Sequence, residues 1–117
     1  MNESAINNSD GLVRDDHIFI ESALEVLAPR WTSSILIELF SGRKRTAELL
    51  RSLPRLSAKT LSERLKHLLE LKLITRTVYP EVPPRVEYEL TAEGLKLSDA
   101  MHVLKELGRA CRESEKC

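Results

Sequence analysis

Residues 57–73 read SAKTLSERLKHLLELKL, and their polar side chains fall in a pattern that suits hydrogen-bonded recognition rather than bond-making. At roughly 100° per residue, Leu61, Leu65, Leu68 and Leu69 make one stripe of a helix. Lys59, Glu63, Lys66 and Glu70 take the opposite face, with Thr60 and His67 at its edge. Ammonium groups on such a face can donate to phosphate or guanine oxygens, and a carboxylate can accept from a cytosine amino group. A merely solvated helix face would look the same.

Charge along the chain adds to this. The 117 residues hold 18 Lys plus Arg and 18 Asp plus Glu, a formal net charge of zero. Neutrality by itself argues against a polyanion partner, because DNA-binding domains usually show a basic excess. Here it is a cancellation. Residues 1–42 carry two basic and seven acidic side chains, 43–86 eleven and four, and 87–117 five and seven, which gives −5, +7 and −2. A basic centre between acidic flanks suggests one localised polyanion-binding face, with the flanks repelling DNA from the others. Arg43, Lys44, Arg45, Arg51, Arg55, Lys59, Arg64, Lys66, Arg76 and Arg85 are the cations within reach of phosphates.

Other chemistry has little to stand on. His17, His67 and His102 are scattered, without an i, i+4 pair or a carboxylate triad, so no metal is expected. No nucleophile elbow, phosphate loop or pair of catalytic acids occurs, so the chain reads as a non-enzyme without cofactor. The two cysteines, Cys111 and Cys117, cannot staple a fold or build a four-ligand zinc site alone. Cys111 falls on an apolar stripe and reads first as a small buried residue. Both cysteines are nevertheless candidates for redox sensitivity, through a bridge between subunits rather than within one helix.

The elements that must position these residues follow from periodicity. The length and a 42% apolar content fit one small globular domain. Residues 1–15 lack apolar periodicity and read as a flexible arm, leaving a domain over 16–117. No run of about 18 uncharged apolar residues occurs, and the start MNESAINNSDGLVRDD lacks an apolar signal core, so a cytoplasmic protein without membrane contact is expected. Ile20, Ala23, Leu24 and Leu27 mark a first helix ending before Pro29. A second, over 30–40, carries Trp31, Ile35, Leu36, Leu39 and Phe40 and stops at Gly42. A third spans 46–53, and Ser57 caps the fourth. Then 74–79 and 85–90 alternate as two strands around PEVPP, and Thr91 caps a last helix with Leu97, Met101, Leu104, Leu107 and Cys111 in line.

That order is mainly α with a small β-hairpin, the order of a winged helix-turn-helix with extra N- and C-terminal helices. The third and fourth helices would be the helix-turn-helix pair and the hairpin the wing. The stretches ALEVLAPRWTSSILIELFSG and LPRLSAKTLSERLKHLLELKLITRTVYPEVPPRVEYELTAEG resemble the HxlR-type bacterial transcriptional regulators, relatives of the MarR group, over about residues 18–108. The most specific pieces are Ser57, Lys59, Leu61, Arg64 and Leu65 as Ser-x-Lys-x-Leu-x-x-Arg-Leu, and the wing sequence TVYPEVPPRVEYELT. The resemblance implies a homodimer that binds double-stranded DNA at a pseudo-palindromic operator through the fourth helix.

Departures from the family pattern bear on mechanism. Where family members often carry Cys-Pro, thirteen residues before the tryptophan, this chain has Ile18-Phe19, so N-terminal thiol sensing is not available to it. The usual Gly-Gly-Lys is Ala28-Pro29-Arg30, the Phe-Asn opening the third helix is Thr46-Ala47, and a common recognition-helix Gln is Glu63. Expected DNA contacts are Arg45, Ser57, Lys59, Thr60, Ser62, Glu63, Arg64, Lys66, Arg76 and Arg85. Of the two hairpin cations, Arg85 beside Pro84 is preferred, because a stiff wing loses less entropy on docking. Ile20, Leu24, Leu97, Met101, Leu104, Leu107 and Cys111 are expected at the dimer seam. A protein–protein interaction module is the rival class, and a regulator gated by a small molecule is compatible with the first reading.

Overall fold

The computed structural model describes residues 11–115. In chain order the elements are α1 (Asp16–Leu27), α2 (Thr32–Phe40), α3 (Thr46–Ser52), α4 (Ala58–Glu70), β1 (Ile74–Tyr79), β2 (Arg85–Leu90) and α5 (Ala92–Glu115). The architecture is mainly helical with one antiparallel hairpin, as the periodicity predicts. The chain divides into two compact units, Met1–Ser33 and Ser34–Cys117.

In the first unit α1 buries none of its residues; Ile18, Phe19, Ile20 and Leu24 all face solvent, Phe19 being 74% exposed. The sequence predicts Arg30 and Trp31 inside the second helix, but the helix begins at Thr32. Trp31 has a φ of +82°, a left-handed conformation that cannot continue an α-helical ladder. The Thr32 N–H instead closes a turn on the Pro29 carbonyl at 3.2 Å, and the Arg30 guanidinium lies 5.3 Å from the centre of the Trp31 ring.

The second unit has a continuous apolar core. Ile35, Leu36 and Leu39 of α2, Leu49 of α3, Leu56, the inward stripe Leu61, Leu65 and Leu68 of α4, and Ile74, Tyr88 and Leu90 of the hairpin are all buried. Gly42, with a φ of +130°, ends α2 by donating to the Leu39 carbonyl. The Glu48 carboxylate accepts the Arg45 N–H at 2.8 Å and closes the start of α3. That helix stops at Ser52, one residue earlier than predicted, because Leu53 precedes Pro54 and leaves helical dihedrals. Ser57 caps α4 as expected, its Oγ accepting the Thr60 N–H at 3.1 Å.

α4 ends in a two-bond motif: Leu73 N–H reaches the Leu68 carbonyl and Lys72 N–H the Leu69 carbonyl, both at 3.0 Å. The residue between cap and strand in that motif must turn left-handed, and here it is Lys72, with a φ of +63°, instead of a glycine. β1 then pairs with β2 in the register Ile74–Leu90 through Tyr79–Arg85. The segment before α3 extends the sheet by one short step, since Lys44 and Tyr88 exchange both backbone hydrogen bonds, at 2.9 and 2.8 Å. α4 packs on β1, and α3 on both α4 and β2.

α5 is fixed at its first turn. The Thr91 hydroxyl lies 2.8 Å from the Lys72 carbonyl and 3.1 Å from that of Leu73, and its oxygen accepts the Gly94 N–H at 3.1 Å. Gly94 passes so close to the Leu73 carbonyl that a Cβ would collide with it. Leu97 and Met101 are half-buried, but every residue from 102 to 114 is exposed. Cys111 is therefore not the small buried residue its stripe suggests; α5 has run past the body of its own unit, and the thiol is free and exposed. Cys117 lies outside the described residues.

Candidate nucleic-acid interface

α4 carries the first half of the site. Its inward leucines hold the helix against β1, which leaves Lys59, Ser62, Glu63 and Lys66 exposed on the outer face. None of these four has a hydrogen-bond or ion-pair partner among the described residues. They are polar groups held on a rigid element with their bonding capacity unspent, as recognition of a ligand edge requires. Ser57 and Thr60 stand differently. Both are engaged in the cap, with the Ser57 hydroxyl 3.1 Å from Thr60 Oγ1 and Thr60 half-buried. Arg64, at the flank, is half-buried and engaged with a partner.

The hairpin carries the second half, and its two faces differ. Strand alternation puts Ile74, Arg76 and Val78 of β1 on one face with Val86, Tyr88 and Leu90 of β2. The other face holds Thr75, Thr77 and Tyr79 opposite Glu89, Glu87 and Arg85. Because Lys44 pairs with Tyr88, its neighbours Arg43 and Arg45 fall on this second face. Three arginines thus meet the Glu87 carboxylate: Arg43 Nη1 at 3.6 Å, Arg45 Nε at 3.8 Å and Arg85 Nη1 at 3.7 Å.

The ion-pair cluster extends outward from Glu87, whose side chain is only 14% exposed. Arg43 also donates to the Tyr79 hydroxyl at 3.0 Å and to Glu89 at 3.4 Å. Glu89 foremost, then Tyr79 and Glu87, push the Arg43 guanidinium above its ordinary pKa. Arg85 pairs with Glu81 at 3.1 Å, and its guanidinium carbon sits 3.9 Å over the Tyr79 ring; its buried Nε has no partner. This geometry weighs against preferring Arg85 over Arg76 for phosphate contact. Arg85 is held by two carboxylates and a ring, whereas Arg76 is exposed with no ion pair among the described residues.

The structure therefore brings Lys59, Ser62, Glu63 and Lys66 together on α4, and gathers Arg45 and Arg85 in a separate cluster with Arg43. Sequence reading missed the acidic half of that cluster, Glu87 and Glu89. A charge count cut at residue 86 assigns both to the acidic C-terminal third, while the sheet returns them to the basic segment. The two-residue spacing of Arg85, Glu87 and Glu89 along a strand was the available signal. Among the described residues no group of three His, Cys, Asp or Glu side chains is placed to hold a metal, and no helix is long and apolar enough to cross a membrane.

The comparisons with known proteins agree with this arrangement. A family model described as HxlR-like helix-turn-helix matches residues 26–116. The uncharacterized HTH-type transcriptional regulator sll1512 of Synechocystis is 41% identical over 111 residues, covering 94% of this chain and 82% of its own. The crystal structure of a MarR-family transcriptional regulator from Enterococcus faecalis V583 superposes with a TM-score of 0.78 at 35% identity, over 91% of this chain and 96% of that one. The reduced form of YodB from Bacillus subtilis gives 0.69 at 37% identity, over 74% and 84%. The α3–α4 pair and the β1–β2 hairpin are thus the helix-turn-helix and the wing of a MarR-like fold. Relatives of this kind are regulators and not enzymes. With the family model spanning most of its length, the chain belongs to the HxlR-like helix-turn-helix family of transcriptional regulators.

Proposed function

We propose that the protein is a homodimeric, sequence-specific DNA-binding regulator that reads a pseudo-palindromic operator with the outer face of α4. The observation that carries this is the row of exposed side chains Lys59, Ser62, Glu63 and Lys66, without partners among the described residues, on the second helix of a helix-turn-helix. Lys59 and Glu63 face base edges, Lys66 and Arg76 reach phosphates, and Ser57, Thr60 and Arg64 orient the helix while touching the backbone at its flank. Arg45 and Arg85 lie at the edge of this surface. The test is selection of bound genomic fragments followed by a salt titration. A regulator neutralising Z phosphates loses affinity with a log–log slope of about −0.9Z. No enriched fragment and no slope would overturn the reading and favour a protein-binding module.

Dimerisation accounts for the apolar surface on the terminal helices. Ile20 and Leu24 on α1, and Leu104 and Leu107 on α5, are exposed, and Leu97, Met101 and Cys111 continue the α5 stripe. Single apolar residues at a surface are ordinary, but aligned ones on a long helix mark an interface. Two α4 helices related by a two-fold axis would enter major grooves about 34–36 Å apart. Leu104→Glu with Leu107→Glu should give monomers in sedimentation; a persistent dimer would refute this seam. A redox response through Cys111 and Cys117 is supported by the exposed Cys111 thiol and by YodB, which has been solved in reduced and diamide-treated forms. Cys111→Ser and Cys117→Ser variants should lose any diamide effect on DNA affinity that the parent has.

A further inference from the structure

We infer that Glu87 is a specificity-determining residue of the wing: it withholds Arg43, Arg45 and Arg85 from DNA phosphates and so keeps sequence-independent binding weak. The inference rests on the DNA-binding reading above and concerns a residue outside the α4 face. Three guanidinium groups within 3.6–3.8 Å of one carboxylate leave a local positive excess that a single acid cannot balance. Glu89 and Glu81 supply the remainder from either end, at 3.4 and 3.1 Å. Glu87 differs from them in position. Its side chain is 14% exposed against 50% and 52% for Glu89 and Glu81, so its attraction is the least screened by water.

The arginines are held but not sealed. The Arg43 and Arg45 side chains are about half exposed, at 52% and 51%. Arg45 and Arg85 border an open cleft of about 410 Å³ that Thr46, Ala47, Glu81 and the wing loop at Val82 and Pro83 also line. The buried Arg85 Nε has no partner among the described residues, so even with Glu87 and Glu81 in place this guanidinium has a donor unspent. A phosphodiester approaching the cluster meets arginines whose charge is already matched, and displacing Glu87 would leave a nearly buried carboxylate unpaired. That cost is independent of base sequence. The same three cations without Glu87 would add backbone contacts at every site on the duplex.

The experiment is a salt titration of binding to a random-sequence duplex of about three helical turns, compared with a genomic fragment recovered in the selection above. Glu87→Gln, which keeps the side-chain shape, should tighten random-duplex binding by roughly tenfold and steepen the log–log slope by about 0.9 per released arginine, up to roughly 2.7. The recovered fragment should gain less, so the specificity ratio falls. In an Arg43→Gln/Arg45→Gln background the extra slope should shrink to that of Arg85 alone, which a merely structural role for Glu87 would not produce. Glu89→Gln leaves Arg43 held by Glu87 and should barely change the slope, whereas Glu87→Asp, which draws the carboxylate back from all three arginines, should steepen it by less than Glu87→Gln and carries the test should Glu87→Gln not fold. A parent with a salt slope that neither Glu87 variant changes overturns the inference alone. A parent with no slope overturns the DNA reading, and the inference with it.

Discussion

The outer face of α4 and the polar face of the wing are built from the same residue types and use them in opposite ways. On α4, Lys59, Glu63 and Lys66 lie on one exposed face, and none has a side-chain partner among the described residues. On the wing, Arg43, Arg45 and Arg85 are brought by strand pairing onto the side that holds Glu87 and Glu89, and each is ion-paired. Spacing alone does not decide this, since side chains three and four apart on a helix are neighbours able to pair, as are cross-strand neighbours. What differs is the Lys44–Tyr88 bridge, which adds two arginines to a strand face that already holds Arg85, Glu87 and Glu89. Formal charge therefore overstates how many wing cations are unpaired and describes the outer face of α4 fairly.

Several substitutions would break or sharpen this contrast. Lys59→Ala should have the largest effect on recognition, a loss of about 1–3 kcal/mol at a specific site. Its unfolding free energy should stay within about 0.5 kcal/mol of the parent, since no described residue bonds to that side chain; paired binding and melting measurements check both. A large loss of stability would mean that α4's face is structural after all. Next come the two wing arginines, expected to behave as opposites. Arg85→Ala should cost about 1 kcal/mol of stability, through the lost Tyr79 stack and carboxylate pairs, and leave the salt slope unchanged. Arg76→Ala should make the slope shallower by about 0.9 and barely change the melt. If the two exchanged behaviours, the wing would be reading DNA through the cluster.

The smallest expected effect lies between the two regions. Lys72 occupies a left-handed position that costs an L-residue about 1–2 kcal/mol, part of which glycine returns as unfolded-state entropy. Lys72→Gly should stabilise the protein by about 0.5 kcal/mol in denaturant unfolding. A concurrent change in salt slope would add Lys72 to the phosphate contacts.

Much of this was legible in the sequence, for identifiable reasons. The leucine spacing of α4, its Ser57 cap and the alternation of both strands are local signals, and the observed boundaries at Ile74–Tyr79 and Arg85–Leu90 coincide with the expected ones. The start of α2 was not legible. Pro29 suits a first helical turn, and nothing in AlaProArgTrp announces that Trp31 turns left-handed. Nor was the Glu87 cluster, which depends on a backbone bridge between residues 44 apart, Lys44 and Tyr88. Local patterns cannot report such a pairing, and counting charge in contiguous segments hid it. Cys111 shows the converse: its stripe was real, but a stripe does not say whether its own chain covers it.

The clasp at Thr91 has one more consequence. Its hydroxyl is shared between the two backbone carbonyls that follow α4, and Gly94 lets the first turn of α5 lie directly against the second of them. The start of α5 meets the chain leaving α4 backbone to backbone, with the Leu90 side chain beside the contact. A tilt imposed along the exposed length of α5 is felt at Lys72 and Leu73 as well as in β2, which runs directly into Thr91 and packs on the same helix. On the proposed DNA reading, a load at the far end of α5 passes to the end of the operator-reading helix by way of the Thr91 hydroxyl and of its backbone N–H, which donates to the Leu73 carbonyl at 3.0 Å.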